Sequence, residues 1–149
     1  MEKCHISSPA ARAKKTAKII AKALSYPKTD INFKKEIYEA SAVGLLKIAA
    51  MINDKIASAM LFGHNPGMTY LANMLANVRI DNIPTCGVVC FELDIPSWNK
   101  ISEDCGKLIF FEYPKIYLLK YNRTATLISI TKSTSLRQPV KTKVFCLSL

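Results

Sequence analysis

No apolar run in this 149-residue sequence reaches the about 18 residues that a membrane-crossing helix needs, so an integral membrane protein is not expected. Metal chemistry has little to draw on. There are two histidines, and the five cysteines (Cys4, Cys86, Cys90, Cys105, Cys146) include no Cys-x-x-Cys pair. The odd count argues against a disulfide framework, and reduced, mostly buried thiols in a reducing cytoplasm are the expectation. Met1-Glu2-Lys3-Cys4-His5 has neither an apolar core nor a small-residue cleavage site, so no secretory signal is read there. Acids are scarce, 11 Asp and Glu against 21 Lys and Arg, for a net charge of +10. The scarcity is uneven. Residues 1–115 hold 15 basic and 11 acidic side chains, whereas residues 116–149 hold six basic and none acidic. The excess therefore sits in an acid-free tail and does not mark the body as a polyanion binder. No interleaving of aromatic and basic residues accompanies it, and nucleic acid is not expected as a partner. What remains is ordinary globular composition, 50% apolar and 21% charged, of a length that suits one domain.

Hydrophobic periodicity outlines alternating strands and helices. Residues 3–8 predict a strand. Ser8 and Pro9 then suit a helix start, because Ser can cap and Pro loses no hydrogen bond at the first helical position. Ala13, Ala17, Ile20 and Leu24 share one face of a helix over Ala10 to Leu24, with Lys14, Lys18 and Lys22 on a solvated face. A short strand is read around Ile31–Phe33. A second helix is read from Glu39 to Ile52. Ala57 to Phe62 is a continuous apolar run, as in a strand buried on both faces. Gly63-His64-Asn65-Pro66-Gly67 then leads into a helix over Met68 to Leu75. After a loop at 77–85, Cys86–Leu93 and Lys107–Glu112 predict a pair of strands forming an antiparallel edge. The alternation implies an α/β fold whose mainly parallel sheet is covered on both faces. Residues 116–149 lack Gly and acids. A strand over Thr124–Ile130 is conceivable there, but the tail is expected to be disordered or non-native.

Two predicted strand ends carry the chemistry. Ser7-Ser8-Pro9 leads into a helix with Arg12 in its first turn, and Gly63-His64-Asn65-Pro66-Gly67 leads into another. Ligands of open parallel sheets bind beyond the carboxyl ends of the strands. Helix N-termini there offer free N–H groups and a positive dipole end to anions. Arg12 offers a planar fork of donors to phosphate oxygens, and the His64 imidazole exchanges protons near neutral pH. Taken singly, Arg12 reads as a surface arginine and His64 as a turn histidine, so convergence on one anion is the distinguishing expectation. His5, inside a strand, reads as structural.

These segments resemble the histidine phosphatase superfamily. Ser7-Ser8-Pro9-Ala10-Ala11-Arg12-Ala13-Lys14-Lys15-Thr16-Ala17 is similar to its Ser-Pro-x-x-Arg-Ala-x-x-Thr-Ala motif, and Leu61-Phe62-Gly63-His64-Asn65-Pro66-Gly67 to its second histidine motif. Ile37-Tyr38-Glu39-Ala40-Ser41, Asp81-Asn82-Ile83-Pro84-Thr85-Cys86-Gly87, the Trp98 region and Phe111-Glu112-Tyr113-Pro114-Lys115 resemble the SixA-type phosphohistidine phosphatase branch. The resemblance covers residues 3–115, read as one domain, and implies a three-layer α/β/α, phosphoglycerate mutase-like fold. It implies hydrolysis of a phosphoric ester or phosphoramidate through a phosphohistidine, without metal or cofactor. Arg12 and His64 would surround the phosphoryl oxygens, with an N–H of Asn65, and stabilise the transferring group. Glu39 would be the candidate proton donor; its plainer reading is an acid at a helix N-terminus. The implied partner is a phosphohistidine-bearing protein or a small phosphate ester.

One departure outweighs these matches. The superfamily's nucleophilic histidine lies in an Arg-His-Gly motif at the end of the first, central strand, and this sequence has no such motif. His5 does not replace it. The sheet is therefore expected to lack its first central strand, which would leave buried backbone groups unpaired. Three accounts follow: an N-terminally truncated chain, inactive as it stands; a pseudophosphatase that binds phosphate or a phosphoprotein without turnover; or a strand supplied by another chain.

Overall fold

The computed structural model describes residues 2–114 and 142–149. Among these residues three strands alternate with three helices and three more strands follow: β1 (Glu2–Ser7), α1 (Ala11–Ala23), β2 (Asn32–Phe33), α2 (Ala42–Ala50), β3 (Ile56–Phe62), α3 (Gly67–Ala76), β4 (Val88–Leu93), β5 (Gly106–Glu112) and β6 (Lys143–Ser148). The fold is α/β, with one mixed sheet in the order β2-β1-β3-β6-β4-β5. β1 pairs in parallel with β2 and β3, and β3 with β6; β4 runs antiparallel to both β5 and β6. The expected antiparallel edge is there as β4 and β5.

The sheet does not lack a central strand. β6 fills the interior position between β3 and β4, with Ser58 to Phe62 aligned on Val144 to Ser148 and Val88 to Leu93 on Ser148 to Lys143. The expectation of a disordered or non-native tail thus fails over residues 143–148. Val144-Phe145-Cys146-Leu147 is a short β-prone apolar run, and both its faces are covered. Phe145 and Leu147 enter the cluster formed with α2 and α3, while Cys146 enters the cluster formed with α1. The Thr124–Ile130 reading lies outside the described residues.

Strand alternation divides the core in two. Ile6, Ala59, Leu61, Val89 and Phe91 pack with Leu45, Ile48 and Leu71 of α2 and α3; Met60, Phe62, Val88 and Cys90 pack with Ala13, Ala17 and Ile20 of α1. In the second cluster Cys90 and Cys146, directly opposite each other on β4 and β6, form a disulfide. This corrects the expectation of reduced thiols for these two cysteines, while Cys4, Cys86 and Cys105 are free, and it weakens the cysteine argument for a reducing compartment. The partners are 56 residues apart in sequence, and only strand pairing makes them neighbours. At the opposite end of β6, the Lys143 ammonium donates to the Asp54 and Ile56 carbonyls at 2.6 and 3.0 Å. It also lies 5.8 Å from the centre of the buried Trp98 ring, whose indole N–H donates to the same Ile56 carbonyl. No helix among the described residues is long and apolar enough to cross a membrane.

Candidate functional site

The carboxyl ends of β1, β3 and β6 lie side by side, because Ser7 aligns with Phe62 and Phe62 with Ser148. Backbone bonds continue the ladder past the strands: Ser8 N–H donates to Phe62 O, Gly63 N–H to Ser148 O and Cys86 N–H to Leu149 O, each at 3.0 Å. The turns that follow β1 and β3 therefore leave the sheet together. Ser8 and His64, 56 residues apart in sequence, meet there with Ser8 Oγ 2.8 Å from His64 Nε2. Ser8 is wholly buried and His64 half-buried. The sequence predicts a helix cap at Ser8. Its hydroxyl does accept the Ala10 N–H at 3.2 Å, but α1 begins only at Ala11 and Ser8 lies outside it. Its role beside His64 was missed; the usable signal was a serine between a strand end and Pro9, where burial was foreseeable.

A third turn closes on His64 from the α2 side. Glu39 was read as the start of the second helix, but the helix starts at Ala42. Ser41 captures the Gly44 N–H at 3.1 Å and so sets the N-terminus, and Glu39 has φ of 53°, which a helix excludes. Two glycines let this turn dock. A Cβ on Gly67 would collide with the Ala40 carbonyl, and one on Gly63 would press on Met68 and Ile37. The docking sets the Tyr38 ring edge-on to His64, centres 5.6 Å apart, and brings the Glu39 charge close enough to act on the imidazole. Burial pushes the His64 pKa below the usual imidazole value, and the Glu39 carboxylate opposes that shift. A left-handed, exposed glutamate beside a histidine is the kind of strain that gathers at working sites.

The other expected residues divide. Arg12 lies in the first turn of α1, exposed, and among the described residues its guanidinium makes no ion pair. That turn carries no acid, so the positive end of the helix is unopposed. The Asn65 side chain is committed to bracing. Its Nδ2 donates to Asn82 Oδ1 at 2.8 Å and to Ile83 O at 2.9 Å, while its Oδ1 accepts from Thr69 Oγ1 at 2.7 Å. Asn65 therefore ties the histidine turn to the 82–83 loop, leaving only its backbone for a ligand. His5 is separate from this group. It is buried in β1, stacked on Tyr26 with ring centres 3.9 Å apart, and its pKa is lowered to about 4, first by burial and then by Lys3. Among the described residues no group of three His, Cys, Asp or Glu side chains could hold a metal ion.

Chemically, the edge presents a half-buried imidazole of lowered basicity with a carboxylate beside it, and α1 begins with the exposed Arg12. Such a set suits an oxyanion better than an apolar ligand. Comparison with protein-family models, with curated proteins and with solved structures finds no match.

Proposed function

We propose that the chain is a phosphohistidine phosphatase-like protein that recognises a phosphoryl group with Arg12, His64 and the Asn65 backbone. The observation that carries this reading is the Ser8–His64 hydrogen bond of 2.8 Å, which ties together the two motif-bearing turns at one sheet edge. The finer fold, a phosphoglycerate mutase-like three-layer arrangement, belongs to the same reading. It is supported by helices serving two clusters on alternate strand residues. Glu39, whose charge reaches the His64 imidazole, is the candidate to protonate a leaving group.

A second reading, binding without turnover, is favoured by a specific observation. Of the two interior strands beside β3, β6 ends at Ser148 and carries no imidazole, and β1 ends at Ser7. The chain's other histidine is His5, buried beneath Tyr26. A phosphohistidine intermediate on a second histidine at this edge thus has no candidate in the sequence. The ligand class is unchanged: a phosphohistidine-bearing protein or a small phosphate ester.

Calorimetry with inorganic phosphate, and phosphoenzyme trapping with labelled phosphohistidine, test both readings. Phosphate binding lost in both Arg12→Ala and His64→Ala supports the site. Turnover that survives His64→Ala would refute it. Binding without any labelled protein adduct selects the non-catalytic form.

A further inference from the structure

The hydrogen bond between Ser8 and His64 has a direction, and the buried polar groups decide it. Ser8 Oγ has one hydrogen and two lone pairs. One lone pair is taken by the Ala10 N–H at 3.2 Å, a group that can only donate. The hydroxyl hydrogen must find an acceptor, because Ser8 has 0% of its surface exposed and buried polar groups are almost always paired. Among the described residues, the only other atom bonded to Ser8 Oγ is His64 Nε2, at 2.8 Å. Were Nε2 to carry a proton and donate, the serine hydrogen would be left buried with no acceptor. The arrangement that satisfies every group has Ser8 O–H donating to an unprotonated Nε2.

We infer that Ser8 is a positioning residue that holds neutral His64 in the tautomer with its proton on Nδ1, presenting an N–H donor to a bound anion. The Nδ1 atom has no protein partner among the described residues and is not among the buried unpaired atoms. It is therefore open to a ligand. The burial that lowers the His64 pKa favours this neutral form, and Glu39 is the charge that acts against it. The Tyr38 edge contact limits rotation of the ring. A histidine so held donates to an oxyanion without being protonated, so recognition does not depend on imidazolium. For phosphate this assignment rests on the function proposed above; the tautomer itself does not.

Long-range nitrogen–proton NMR of the ligand-free protein, at about pH 8 where the imidazole is neutral, reads the tautomer directly. The expected pattern is a pyrrole-type Nδ1 and a pyridine-type Nε2. Ser8→Ala should move the proton to Nε2, the nitrogen that free imidazole side chains favour, and weaken inorganic phosphate binding about tenfold. Ser8→Thr, which keeps the hydroxyl, should preserve the wild-type pattern and bind within about twofold of it. A pyridine-type Nδ1 in the wild-type protein, or an Nδ1–H that persists in folded Ser8→Ala, overturns the inference. If Ser8→Ala does not fold, the wild-type and Ser8→Thr spectra still decide it. If phosphate fails to bind the wild-type protein while the tautomer is as stated, the proposed function falls and the role of Ser8 stands.

Discussion

The two histidines of this chain occupy adjacent parts of one sheet and have opposite surroundings. His5 lies within β1, opposite Met60 of β3, buried against Tyr26 and Phe62, and its Nδ1 has no hydrogen-bond partner. His64 stands two residues beyond the end of β3, half-buried, with a hydroxyl on one ring nitrogen and a carboxylate close by. Burial lowers the pKa of both. The difference lies in the partners. An imidazole buried without them is simply an aromatic ring of the core, whereas one given a hydroxyl and a nearby charge keeps a defined proton and an open edge.

The contrast can be broken most severely through β6. Reducing the Cys90–Cys146 disulfide, or replacing Cys90 by Ser, releases a cross-link between residues 56 apart and should lower stability by about 3–4 kcal/mol in chemical denaturation. Because Ser148 at the end of β6 accepts the Gly63 N–H, NMR shifts at His64 should move more than those at His5. Next in size, Gly67→Ala sets a methyl group against the Ala40 carbonyl and should cost about 3 kcal/mol in thermal unfolding. It should also pull the Glu39 turn away from His64 and leave the His5–Tyr26 stack intact.

A smaller effect sharpens the His5 side. Its folded pKa of about 4 lies below the ordinary 6.5, so the unfolded chain binds the extra proton. The stability it contributes is whole above about pH 6.5 and falls as pH drops towards about 4, by at most about 3 kcal/mol. His5→Phe should remove that part of the slope in urea titrations and change little at neutral pH. Smallest of all, Glu39→Gln removes the attraction that raises the His64 pKa, so an NMR titration of His64 should shift lower while that of His5 stays put.

Much of the frame was legible because local pattern and tertiary burial agree. Ala13, Ala17 and Ile20 announce the buried face of α1, and the Ala57–Phe62 run announces β3. That the turns after β1 and β3 share one edge was legible too, but Arg12 and not Ser8 was the residue expected to meet His64 there. What escaped depends on partners distant in sequence. β6 is a run of six residues within a basic, Ser- and Thr-rich region, and its partners lie 86 residues away on β3 and 50 to 60 away on β4. Composition averaged over 116–149 hides it. Glu39 escaped for a different reason: a glutamate at positive φ violates local preference and is held by docking against Gly67.

The position of β6 also governs how the molecule is put together. Without it the sheet is two unconnected pieces, β2-β1-β3 and β4-β5, since no other strand among the described residues bridges them. Lys143, anchored at Asp54, Ile56 and Trp98, seats the bridging strand at its entrance. A slip of one residue would turn Phe145 and Leu147 out of the α2–α3 cluster. The two pieces can be synthesised and collapse early, yet the ladder that unites them waits for residues 143–148 to emerge. Folding of this chain is thus a long-range event, and the β6 amides should be among the last in the molecule to exchange with solvent.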